Sequence, residues 1–99
     1  MATRLRRSSG NIFRDLGFRA AEAENLRIRT ELMARLCRLI ERERLTQAAA
    51  ARLFGVTQPR VSDLVRGRID LFSIDALVKM LARAGVRLTV KASSRRRAA

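Results

Sequence analysis

The stretch from Thr46 to Gly67 restricts what this 99-residue chain can fold into more than any other part of it. It holds two helix starts and two helix stops in quick succession. Thr46 and Thr57 each carry a side-chain oxygen able to accept a backbone N–H as an N-cap. Pro59 falls in the first turn after Thr57, where a helix misses no donor. Gly55 and Gly67 can take positive φ and so end a helix sharply. The predicted local structure is a short Ala-rich helix from Gln47 to about Phe54, a tight turn, and a second short helix running to about Arg66.

The flanking elements follow from spacing. From about Ala20 to Glu43 there is no Gly or Pro, and Ala, Leu, Arg and Glu, all good helix formers, dominate. Met33, Leu36, Cys37 and Ile40 recur at i, i+3, i+4, i+7, and Leu26, Leu32 and Leu39 widen that apolar stripe. Glu31 and Arg35 stand four apart in the favourable order for a solvent-side pair. Ser73 is a third N-cap, opening a helix with Asp75 near its positive end and Arg83 near its negative end. Ile74, Leu77, Val78 and Leu81 form its apolar face, and Gly85 stops it. Val86 to Lys91 alternates apolar and polar residues, the pattern of a strand. A lone strand needs a partner: the same strand of a second subunit, a partner's sheet, or the Asn11–Phe18 arm. Self-pairing is the first choice, which makes Val86, Leu88 and Val90 candidate dimerisation residues. The organisation read this way is a basic leader and docking arm at 1–18, a helical domain at 19–91 ending in the strand, and a basic tail at 92–99. Cys37 reads as a small buried hydrophobe and Met33 and Met80 as core filler.

Composition narrows the function. There are 22 Lys and Arg against 9 Asp and Glu, a net charge of +13, and all but two of the cations are Arg. Arg suits bidentate phosphate and guanine contacts, so the balance points to nucleic acid. Seven of the cations lie at the two ends, in residues 1–10 and 91–99; they read as solvated tails adding nonspecific attraction, or as minor-groove arms. The absence of His removes the usual general base and the commonest zinc ligand. The acids Asp63, Asp70 and Asp75 are spread over different elements, so no catalytic constellation, cofactor or metal site is implied. One Cys forms no internal disulfide, and no apolar stretch approaches the length of a membrane span. The cytoplasm is the expected compartment.

Two short helices joined by a tight turn in a basic helical domain suggest a helix-turn-helix. The geometry asks for a small residue where the helices cross (Ala51), a turn glycine (Gly55), and apolar residues facing inward, here Phe54, Val56, Val61 and Leu64; all comply. With Val61, Leu64 and Val65 turned inward, the second helix offers its other residues to a major groove. Gln58 can bond adenine through N6 and N7, and Arg60 guanine or a phosphate. Ser62 points away from the core and is a further candidate base reader. Asp63 beside phosphates is tolerated if it accepts from cytosine N4 or pairs with an Arg. Gln47, Thr57, Arg66 and Arg68 are the candidate phosphate grips.

The run Leu45-Thr-Gln-Ala-Ala-Ala-Ala-Arg-Leu-Phe-Gly-Val-Thr-Gln-Pro-Arg-Val-Ser-Asp-Leu64 resembles the Cro/repressor-like (XRE-type) helix-turn-helix. The opening Asn-x-Phe-x-Asp-Leu-Gly-Phe at 11–18, the Thr57–Ser62 stretch, the Asp-Leu-Phe-Ser loop at 70–73 and the closing strand are similar to the HigA-type antitoxins. The resemblance implies a mainly α, four-to-five-helix Cro/repressor-like domain with a C-terminal strand that pairs across a dimer. It further implies a bacterial repressor of its own operon that binds a palindromic double-stranded operator as a homodimer and neutralises a small RelE-like ribonuclease toxin. A stand-alone XRE-type regulator without a toxin shares this frame. A charge-driven RNA-binding or nucleoid protein is the reading in which the Gln58 face does not matter.

Overall fold

The computed structural model describes residues 9–94, with the side chains of 9–15 and 18 left out of the description. The basic leader before Ser9 and the Arg95–Arg97 run of the tail lie outside the described residues, as do the side chains of Ile12, Phe13 and Phe18. Four α-helices follow in order: α1 (Ser9–Arg42), α2 (Gln47–Phe54), α3 (Gln58–Val65) and α4 (Ile74–Arg83), with a single 3₁₀ turn at Ile69–Leu71 between the last two. At about 1.5 Å per residue α1 is roughly 50 Å long, and it sets the 53 Å long dimension of the molecule.

One core joins all four helices. Met33 and Leu36 come from α1, Ala50, Ala51 and Phe54 from α2, Val61 and Leu64 from α3, and Leu77, Met80 and Leu81 from α4. Phe72, on the loop between α3 and α4, is the one buried loop residue among them. Burying a Leu or Phe of this kind contributes roughly 1.5–3 kcal/mol. Among the described residues no polar or charged residue is buried in this core. Cys37 packs beside it, half-buried with its Sγ 3.8 Å from the Leu64 carbonyl. Burial, reinforced by nearby Glu41, pushes its thiol up, which keeps it in the unreactive protonated form.

The capping residues act as their spacing predicts. Thr46, Thr57 and Ser73 each accept a backbone N–H from the residue three ahead, at 3.0, 3.3 and 3.1 Å. The C-terminal ends share a second device. At the end of α1, Arg44 N–H donates to the Glu41 carbonyl at 3.2 Å and Leu45 N–H to the Ile40 carbonyl at 3.0 Å. This is the Schellman arrangement, which places a left-handed residue just past the helix. The ends of α3 and α4 use the same bonds, with Gly67 and Gly85 in that position. At α1 the residue is Arg44, at φ 53, where an L side chain is strained.

Several expectations are corrected. Helix α1 begins at Ser9, well ahead of Ala20, because the chain contains no Pro before Pro59 and extending a formed helix past Gly17 costs far less than starting one. Its N-terminal part leaves the body of the domain, so Leu16 and Leu26 remain 52% and 43% exposed and Leu26 does not join the core stripe. Glu31 pairs with Arg27 at 3.1 Å, not with Arg35; Arg27 also holds Glu24. Val65 turns outward and is 43% exposed, and Val78 is 37% exposed.

The C-terminal β-strand is the largest correction. Among the described residues there is no strand, and residues 86–94 carry no regular secondary structure. The alternation is real but has another cause. Val86 and Leu88 are half-buried and pack against the chain's own core, while Val90 is 89% exposed. A ladder needs a neighbouring extended segment, and every other described element is helical. Val86, Leu88 and Val90 therefore belong to no strand of this chain.

The two strained positions predict opposite effects. Arg44→Gly should raise stability by about 1 kcal/mol, roughly 4–8 °C in Tm, by relieving the left-handed conformation. Gly55→Ala should lower it by about 1–2 kcal/mol, since φ there is 75. Thermal unfolding followed by circular dichroism checks both; an unchanged Tm in Arg44→Gly contradicts the strain argument.

Candidate nucleic-acid interface

The connection between α2 and α3 is fixed from both sides. Helix α2 ends at Gly55, at φ 75 and ψ 32, whose N–H and that of Val56 both donate to the Ala51 carbonyl, at 2.9 and 3.0 Å. The Arg83 guanidinium, from the last turn of α4, lies over Gly55 so closely that a Cβ there would overlap it. Phe54 on one side and Val61 on the other are buried in the core, and Val56 packs against it. Ala50 and Ala51 are buried because only a small side chain allows close approach of α2 to its neighbours. Helix α3 is thus held at a fixed angle to α2.

Its outward face follows from helical geometry. At about 100° per residue, Pro59, Ser62, Asp63 and Arg66 lie opposite the buried pair Val61 and Leu64, with Gln58 on the flank nearest the N-terminus. Gln58 and Arg66 are exposed; Ser62 and Asp63 are half-buried. Asp63 forms no ion pair among the described residues. On the adjoining side Gln47 is half-buried at the first position of α2, while Arg68 is exposed beyond Gly67. Thr57 is exposed, with its hydroxyl oxygen engaged as the α3 cap.

Arg60 stands apart from this set. It projects from the other side of α3 onto the loop that follows. Its Nη1 donates to the Leu71 carbonyl at 2.8 Å, and its guanidinium lies 4.2 Å from the centre of the Phe72 ring. A cation over an aromatic face contributes about 0.5–2 kcal/mol. From α1, Arg29 reaches the same loop, its Nη1 donating to the Ile69 carbonyl at 3.1 Å and its Nε to Asn25 Oδ1 at 2.7 Å. Neither contact is visible in periodicity. Each crosses between elements, and Phe72 reads in the sequence only as part of a loop motif.

The comparisons with known proteins agree with this geometry. A family profile described as a helix-turn-helix domain matches residues 12–93. A solved structure titled "Putative XRE Family Transcriptional Regulator" is 34% identical, covering 79% of this chain and 90% of its own, with a TM-score of 0.68. The chain belongs to the XRE-type helix-turn-helix family. Such domains are DNA-binding transcription regulators and not enzymes. No curated protein matches the chain. Among the described residues, no helix of this XRE-type protein is long and apolar enough to cross a membrane.

The cap on α3 gives a direct test. Thr57→Ala should cost about 1 kcal/mol of stability, and Thr57→Ser should restore it. Denaturant unfolding measures both. Equal stability in Thr57→Ala and the wild type would show that the cap bond is not maintained in solution.

Proposed function

We propose that this XRE-type protein is a sequence-specific transcription repressor that lays α3 in the major groove of a palindromic operator and binds it as a homodimer. The observation that carries the reading is the outward face of α3, a small set of polar side chains presented by a helix that caps, turn and core hold rigidly. In this reading Gln58 bonds adenine through N6 and N7, Ser62 bonds either partner type, and Asp63 accepts from cytosine N4. Gln47, Thr57, Arg66 and Arg68 hold the flanking phosphates and set the register of the helix on the duplex. Two copies bring two recognition helices to half-sites about one helical turn apart.

A regulator acting without a toxin is preferred to the antitoxin reading. The solved relative is titled a transcriptional regulator, and the closing strand that formed part of the likeness to HigA-type antitoxins is absent among the described residues. The reading needs no ribonuclease partner.

The test is selection of duplexes from a random-sequence pool, followed by binding to the selected and a scrambled duplex at several salt concentrations. Gln58→Ala should lose roughly 1–3 kcal/mol of preference for the selected sequence, and Arg66→Ala should weaken binding to both duplexes and lower the salt slope by about 1. If no sequence is enriched, or Gln58→Ala keeps the full preference, charge alone accounts for binding and the proposal fails.

A further inference from the structure

Twenty arginines make every guanidinium on this chain a candidate DNA contact, and the sequence places Arg60, on the recognition helix, among the base readers. The geometry points to a different assignment, which rests on the reading of α3 as the recognition helix: Arg60 and Arg29 are positioning residues that clamp the 69–72 loop between α1 and α3 and so fix the presentation of Gln58.

The two arginines grip one short segment from two different helices. Arg29, anchored on α1 by Asn25, donates to the Ile69 carbonyl. Arg60, on α3, donates to the Leu71 carbonyl two residues on. The segment is itself stiff: Leu71 N–H donates to the Arg68 carbonyl at 3.1 Å and Phe72 N–H to the Ile69 carbonyl at 3.2 Å. Phe72, only 1% exposed, ties it to the core and offers its ring to the Arg60 guanidinium. A planar guanidinium can stack on a ring and donate in its own plane at once, a combination that a lysine ammonium cannot make. Arg60 is half-buried by these contacts, whereas Arg66 and Arg68 at the far end of α3 are exposed. Around the helix, at about 100° per residue, Arg60 lies roughly 160° from both Gln58 and Ser62 and roughly 60° from Asp63. The ring and the carbonyl together hold the guanidinium over the 69–72 loop. Asp70 lines the same open cleft of about 430 Å³ as Arg29 and Arg60 and makes no ion pair with either.

The clamp joins α1 to the N-terminal half of α3. Val61 and Leu64 fix the inward side of that helix, and Arg60 fixes its rotation at the end where Gln58 stands.

The experiment uses the full chain and a duplex selected from a random pool by the wild-type protein. In the free protein, protons of the Arg60 side chain should be shifted upfield by the Phe72 ring, and the shift should persist when the duplex is bound. Arg60→Met and Arg29→Met should each reduce the preference for the selected over a scrambled duplex about tenfold while leaving the salt slope unchanged. A phosphate or base contact predicts the reverse: the ring shift collapses on binding, Arg60→Met lowers the salt slope by about one, and Arg29→Met is silent. Any of these overturns the assignment. The ring-shift measurement needs no variant, so it decides even if a substitution unfolds the chain. Enrichment of no duplex sinks the DNA reading and this inference with it, whereas a selected duplex with a mobile Arg60 sinks this inference alone.

Discussion

Everything α3 presents to its surroundings depends on the turn at Gly55. A residue in the left-handed region lets α2 stop and the chain redirect in two residues, with both N–H groups of the turn satisfied by one carbonyl at Ala51. Any other residue would strain the backbone there and meet Arg83 from α4. Because Phe54 and Val61 bury on either side of the turn, the angle between the helices is set by the core and not by the loop alone. The polar face of α3 is the remainder, what is left facing outward once Val61 and Leu64 have been placed inside.

Charge on this molecule is divided between structural and free cations. A formal +13 suggests a surface of interchangeable arginines, but the described contacts separate them. Arg27 is held by Glu24 and Glu31, Arg29 by Asn25 and the Ile69 carbonyl, Arg60 by Phe72 and the Leu71 carbonyl. Arg66 and Arg68 are exposed, next to the outward face of α3. Attraction to a polyanion grows with the whole charge, while discrimination needs groups held in place. In the proposed reading the two properties fall to different residues of one helix and its flanks.

Much of this architecture is legible in the sequence because it is local. Thr46, Thr57 and Ser73 cap the helices they precede, and Gly55, Gly67 and Gly85 end the ones they follow, each through bonds spanning a few residues. The inward set of Met33, Leu36, Phe54, Val61, Leu64 and Leu77 follows from helical period. What was not legible depends on the surroundings of a pattern. Val86 and Leu88 alternate as a strand would, but the same spacing serves an irregular segment lying on its own core. Leu26 fits the stripe of α1, yet among the described residues it does not pack on the core and stays 43% exposed. Arg60 fits a recognition helix by position, and only the loop eleven residues on shows what its guanidinium touches.

The measurement that bears most directly on the account is the map of backbone amide shifts when a selected duplex is added to the full chain. The largest changes are expected from Gln58 to Arg68 and at the start of α2, with the N-terminal half of α1 little affected. Changes spread evenly over the basic surface, or concentrated on α1, would contradict it.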